Sequence, residues 1–289
     1  MAKIDVNGIG IAYEIIGDRG PGIVLTAGGR FSKDTPGLRE LAAALAAEGH
    51  RVLIWDRVNC GESDVNFDAE TESVLNTDTL AGLLRKLDLG PAMLVGGSAG
   101  SRISLMTAIR YPDLVSGVYI FWISGGYMGL AQLAMHYCFG SAYAAVRHGM
   151  AAVADLPEWK EQVTRNPGNR DRFLAQDPHK FIETMQRWAG SFFPRSEAPV
   201  PGLNPAQLAS IRVPVIVLRS GTADLHHTRE TSELVHQMIP GSELREPPWG
   251  DQEWNDCMER SATDRSLYAR VPLLAPDLIA FARTLRAPA

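Results

Sequence analysis

The sequence predicts an α/β fold in which a mostly parallel eight-stranded sheet is flanked by helices and carries an inserted helical cap. Short apolar runs that read as buried strands alternate with segments whose apolar residues recur at helical spacing, a rhythm that stops near Ser124 and resumes at Val213. Strict alternation of strand and helix calls for right-handed crossovers, and these make neighbouring strands parallel.

The first two strands are the exception. Lys3–Val6 and Gly10–Ile16 alternate apolar and polar residues around Asn7-Gly8, a pair suited to the positive φ angles of a tight hairpin turn. Gly22–Thr26 is an apolar run of the kind buried on both sheet faces. Leu38, Leu41, Ala42, Leu45 and Ala46 then mark a helix, and Arg51–Trp55 returns to strand. Leu80, Leu83, Leu84 and Leu87 mark the next helix and Ala92–Val95 the next strand. Ser101–Tyr111 is a helix closed by Pro112, and Gly117–Ile123 is strand again. Residues 125–212 read as helices rich in Tyr, Trp, Phe and Met, a cap whose aromatics pack against the sheet or line a pocket. Residues 1–124 and 213–289 make the core domain, the latter with a strand at Val213–Leu218, a helix at Arg229–Met238, a short strand at Glu243–Glu246 and a final helix at Pro276–Leu285. The stretch between Asp251 and Val271 matches no pattern.

Composition narrows the function. In 289 residues, 28 Lys and Arg face 33 Asp and Glu, a net charge of −5 that offers no basic field for a phosphate backbone or an anionic membrane surface. Neither nucleic acid nor membrane is an expected partner; a small molecule is, and the oligomeric state is not legible. No apolar run approaches the length of a membrane span, and no targeting segment is apparent. Cys60, Cys138 and Cys257 are too few and too scattered for a disulfide framework, so a reducing, cytoplasmic location is expected.

Directly after the strand at Ala92–Val95 comes Gly96-Gly97-Ser98-Ala99-Gly100, followed by a helix. This is G-x-S-x-G in the context that gives it meaning: the chain turns too sharply for bulky neighbours, and the central serine is held exposed at a helix N-terminus. Glycines two residues to either side let the strand and helix backbones pass very close. On these residues the sequence resembles the α/β-hydrolase superfamily over nearly its whole length. Asp56-Arg57-Val58-Asn59-Cys60-Gly61-Glu62-Ser63 is similar to a family stretch that turns the chain beside the elbow, and Gly221-Thr222-Ala223-Asp224 to the loop carrying the family's acid. The resemblance implies Ser98 as nucleophile, Asp224 as acid, and the backbone N–H groups of Gly29 and Ala99 as oxyanion hole. The glycine-rich loop and helical cap resemble carbon–carbon-bond hydrolases more than lipases.

The largest departure concerns the base. Where the family places a histidine after the last strand, this chain has Asp251, and no histidine lies beyond His236. Two carboxylates, Asp224 and Asp251, are thus expected on adjacent loops facing one site, where they cannot both ionise cheaply. His226 and His227 follow Asp224 closely, so the base is expected to have migrated, with one imidazole lying between the carboxylates and reaching Ser98. A metal held by residues such as Asp224, His226, His227, Asp251, Glu253 and Asp256 is the weaker alternative, and no cofactor is implied. Arg30 and Trp249 are the candidate substrate contacts. The expected activity is attack of Ser98 on the carbonyl of a small, largely apolar ester or ketone, with a cofactor-free lyase or isomerase, or a non-catalytic ligand receptor, as alternatives.

Overall fold

The computed structural model describes residues 2–285 apart from 194, 196, 197, 265 and 266. Eight strands, β1 (Ala2–Val6), β2 (Ile9–Ile16), β3 (Gly22–Thr26), β4 (Arg51–Trp55), β5 (Ala92–Gly97), β6 (Val115–Phe121), β7 (Val215–Leu218) and β8 (Glu243–Arg245), form one sheet in the order β1-β2-β4-β3-β5-β6-β7-β8. β1 and β2 pair antiparallel across Asn7 and Gly8, whose φ angles of 55° and 81° are those the two-residue hairpin demands. β2 is also antiparallel to β4, and every later pairing is parallel.

The inner strands lack polar alternation because both of their faces are covered. Val24, Leu53 and Leu94 enter one apolar cluster together with Leu80 and Leu83 of α2 (Glu72–Lys86, after α1 at Leu38–Ala47) and Ile103 of α3 (Ala99–Arg110). Their chain neighbours Ile23, Leu25, Val52, Ile54, Met93 and Val95 point the other way, into a cluster with Leu41 and Leu45 of α1. Between β6 and β7, the described residues include six α-helices: α4 (Tyr127–Ala134), α5 (Gly140–Ala154), α6 (Lys160–Arg165), α7 (Gly168–Leu174), α8 (Pro178–Ser191) and α9 (Pro205–Ala209). Phe67 from the core meets Trp159, Phe173, Phe181 and Trp188 of this insertion with ring centroids 4.9–6.0 Å apart, so those aromatics pack and do not line a site. After β7 come α10 (Arg229–Met238), α11 (Glu253–Asp264) and α12 (Ala275–Thr284).

Several elements differ from expectation. The strand expected at Gly117–Ile123 runs Val115–Phe121, because Trp122 takes a φ of 49° and turns the chain out of the sheet. The helix expected from Ser101 begins at Ala99, directly after the bend at Ser98. The stretch without a sequence pattern contains α11, anchored by the buried Glu253 carboxylate, which accepts from Arg260 Nη2 at 2.9 Å, Arg270 Nη1 at 2.5 Å and Cys257 Sγ at 2.8 Å. No helix among the described residues is long and apolar enough to cross a membrane.

Where β5 passes into α3 the backbones nearly touch. A Cβ on Gly100 would lie 2.1 Å from the Thr26 carbonyl oxygen, and one on Gly96 would lie 2.3 Å from that of Gly100. Gly100→Ala is therefore expected to cost roughly 1–3 kcal/mol through overpacking against backbone that cannot yield. Chemical denaturation reads this directly; an unchanged midpoint would contradict so close a crossing.

Candidate active site

Ser98 occupies the bend between β5 and α3 with φ 57° and ψ −116°, a conformation costly for a residue with a Cβ. The surroundings over-determine it. The Ser98 N–H donates to the Phe121 carbonyl at 3.2 Å, and the Ser101 hydroxyl donates to the Gly96 and Phe121 carbonyls at 2.9 and 2.7 Å. The side chain is thereby held out from the sheet and onto the wall of a cavity of about 840 Å³.

On the loop after β7, the Asp224 carboxylate organises a turn. Its Oδ1 accepts from the backbone N–H groups of His226 and His227, both at 2.9 Å, and its Oδ2 lies 3.0 Å from His227 Nδ1. A carboxylate only accepts, so Nδ1 carries the proton and Nε2 is left as an acceptor. That Nε2 lies 2.9 Å from Ser98 Oγ. Asp224 and His227 are both buried, so this chain of hydrogen bonds is shielded from water. The next residue, Thr228, caps α10 by accepting from the Thr231 N–H, which fixes where the turn ends. Ser98, Asp224 and His227 are thus brought together.

His226 is not in that chain. Its Nδ1 accepts from the Trp254 indole N–H at 3.1 Å and its Nε2 meets Gln132 Oε1, so it bridges α11 to the insertion on the cavity wall. Burial and the adjoining His227 imidazole hold its pKa below the ordinary value.

Asp251 does not face Ser98. Its carboxylate is half exposed and pairs with Arg229 Nη2 at 2.5 Å, so the expected pair of acids across one cleft does not form. The imidazole of His227 lies between Asp224 and the serine, not between two carboxylates. Trp249, expected at the substrate, instead packs on Phe121 and Trp122 with centroids 5.9 and 5.6 Å apart, away from the Ser98 cavity. Arg30 does line the cavity, but its guanidinium pairs with Glu72 and lies over the Trp159 and Tyr137 rings, 4.3 and 4.9 Å from their centroids. A substrate carboxylate would have to compete with Glu72 for it. The metal alternative loses its ligands the same way, Asp251 to Arg229 and Glu253 to Arg260 and Arg270.

Gly29 lies on the cavity wall and Ala99 immediately follows Ser98. Among the described residues neither of their backbone N–H groups donates a hydrogen bond, as the first N–H of a helix and of a free loop would be left. Behind Ser98, the Ser124 hydroxyl lies 3.4 Å from its Oγ and accepts from Arg102 Nη1 at 2.8 Å. Burial pushes the Arg102 guanidinium down to about 10, still charged at neutral pH. Residues the sequence did not single out complete the wall: Tyr268, Leu267 and Met258 from the C-terminal segment and Gln132 from the insertion, beside the cap aromatic Tyr137. They carry no local signal, because only the tertiary fold brings them to Ser98.

A sequence-family model described as the alpha/beta hydrolase fold matches residues 29–123, which include the Ser98 bend. The enol-lactonase of Burkholderia xenovorans LB400 superimposes over 98% of this chain and 100% of its own, with a TM-score of 0.62 and 21% identity. The chain has the alpha/beta hydrolase fold. Among other structures of this fold, esterase RhEst1 from Rhodococcus sp. ECU1013 covers 98% of each chain at a TM-score of 0.61 and 19% identity. In sequence, the chain is 26% identical over 191 residues to the 2-hydroxymuconate semialdehyde hydrolase of Pseudomonas sp. (strain CF600), a match spanning 63% of this chain and 62% of that protein. It is 36% identical over 89 residues to a 2-hydroxy-6-oxononadienedioate/2-hydroxy-6-oxononatrienedioate hydrolase of Burkholderia vietnamiensis, 31% of this chain and 30% of that one.

Proposed function

We propose that this α/β-hydrolase is a serine hydrolase whose base has moved from the loop after β8 to the turn after β7. The observation that carries the reading is the pair of contacts at His227, 3.0 Å to Asp224 and 2.9 Å to Ser98. Ser98 Oγ adds to a carbonyl carbon as His227 Nε2 takes its proton, and Asp224 stabilises the imidazolium that results. The oxyanion forms against the Gly29 and Ala99 amides, each of which can contribute roughly 3 kcal/mol to the transition state. His227 then returns its proton to the leaving group, and water releases the acyl group by the same steps in reverse.

The substrate class is a small ester, or a ketone whose adjoining carbon–carbon bond is cleaved, since both pass through a tetrahedral oxyanion. Phe31, Leu133, Tyr137, Trp254, Met258 and Leu267 make much of the wall apolar, which favours an apolar body beside the reacting carbonyl. Related proteins named as semialdehyde and dienedioate hydrolases, and esterases of like fold, support this class. The reading calls on no cofactor.

A fluorophosphonate tests it. Intact mass should show a single adduct on the parent protein and none on Ser98→Ala. A parent that stays unlabelled while a small apolar ligand demonstrably fills the cavity would sink the nucleophile and return the lyase reading.

A further inference from the structure

Tyr268 is buried and lies on the wall of the Ser98 cavity, held there by edge contacts to Phe31 and Trp122 with centroids 5.7 and 5.6 Å apart. Its position is set by α1, because a Cβ on Gly37, the residue before that helix, would lie 1.9 Å from the Tyr268 carbonyl oxygen. Its hydroxyl oxygen accepts from the Gly28 N–H at 2.5 Å. A backbone N–H can only donate, so the phenol's own proton must point elsewhere, and among the described residues it meets no acceptor. The nucleophile is close: a Cβ on Gly28 would lie 2.5 Å from Ser98 Cβ and 2.9 Å from the Tyr268 hydroxyl. The hydroxyl therefore stands beside the reacting serine and next to the loop that carries the Gly29 amide.

We infer that the Tyr268 O–H is a third donor to the oxygen of the reacting carbonyl, completing the oxyanion site formed by Gly29 and Ala99. Burial holds the phenol well above its ordinary pKa, so it keeps its proton at neutral pH and donates without transferring it. The Gly28 N–H pointing at the same oxygen polarises the O–H further and fixes its aim. The role rests on the reading of Ser98 as nucleophile.

The test compares an aryl ester with its thionoester on the full chain. Tyr268→Phe keeps the ring and is expected to lower kcat for the ester on the order of 100-fold, with KM changed much less, as for loss of one oxyanion donor. Sulfur accepts hydrogen bonds poorly, so the parent should prefer ester over thionoester by a wider margin than the variant does. A tyrosine that merely props up the Gly28 loop would slow both substrates equally. An unchanged ester kcat, or an unchanged ester-to-thionoester ratio, overturns the donor role. Should phenylalanine at 268 unfold the chain, 3-fluorotyrosine at that position keeps the contacts with a more acidic phenol, and the same ratio must then rise. Fluorophosphonate labelling separates the two readings: a labelled parent with an indifferent Tyr268→Phe variant removes only the Tyr268 role, whereas a parent that neither labels nor turns over removes the nucleophile beneath it.

Discussion

His227→Ala should lower ester turnover by roughly 10⁴-fold or more, the loss seen when a serine is deprived of its base. The imidazole is the group hydrogen-bonded to Ser98 Oγ, and without it the hydroxyl would have to attack with its proton in place. His226→Ala should lose far less, because that ring touches Gln132 and Trp254 and not the serine. Asp251→Asn should turn over like the parent, since it surrenders only a half-exposed pair with Arg229. Steady-state kinetics on the three variants, with denaturation midpoints to show that each is folded, decide the matter. Were Asp251→Asn as damaged as His227→Ala, the base would have to be sought at the older position after β8.

Glu72→Ala should cost about 3–5 kcal/mol of stability, the range for removing one partner of a buried ion pair. Glu72 pairs with Arg30 and accepts from Asn59 Nδ2 at 3.0 Å, so its loss strands a guanidinium wedged between Trp159 and Tyr137. Burial opposes the charge on both members, yet each more than compensates the other: the Glu72 carboxyl lies below its ordinary value and the Arg30 guanidinium above its own. The sign of the pH effect follows. A carboxyl depressed on folding stabilises fully above its ordinary value of 4.5, and that contribution fades as pH falls through the lower folded value. The parent should therefore lose stability in acid more steeply than Glu72→Ala. Urea titrations at neutral pH and at pH 3 measure both; a loss below about 1 kcal/mol at neutrality would mean that water relaxes the site.

The residues that made the fold legible were those whose constraint is local. Asn7-Gly8 needs positive φ, Gly96 and Gly100 must lack a Cβ, and the doubly buried strands must be apolar throughout, so each announces itself within a few positions. The acid and two adjacent histidines were also readable, because the loop after β7 carries them side by side. Which imidazole reaches the serine was not: Asp224 grips both following amides, and this turn sends the ring at the third position inward and the one before it along the wall. Asp251 misled because its place in the chain was legible while its partner, Arg229 on α10, is a matter of how two loops meet. Tyr268 was invisible for the same reason, lying 240 residues from the amide it holds. The end of β6 was misjudged because Trp122 reads as one more strand residue until its φ is known.

The turn from Asp224 to His227 has a mechanical consequence. With the carboxylate tied to two amides and one ring in a span of four residues, acid and imidazole move as a single rigid unit. Were they borne on separate strand ends, wobble at the rim of the sheet would detune their spacing; here β8, three residues long at that rim, can fray without disturbing it. One adjustable joint remains in this chain of contacts, between that unit and the Ser98 hydroxyl, so gentle warming should loosen the cavity walls before it parts the imidazole from the serine.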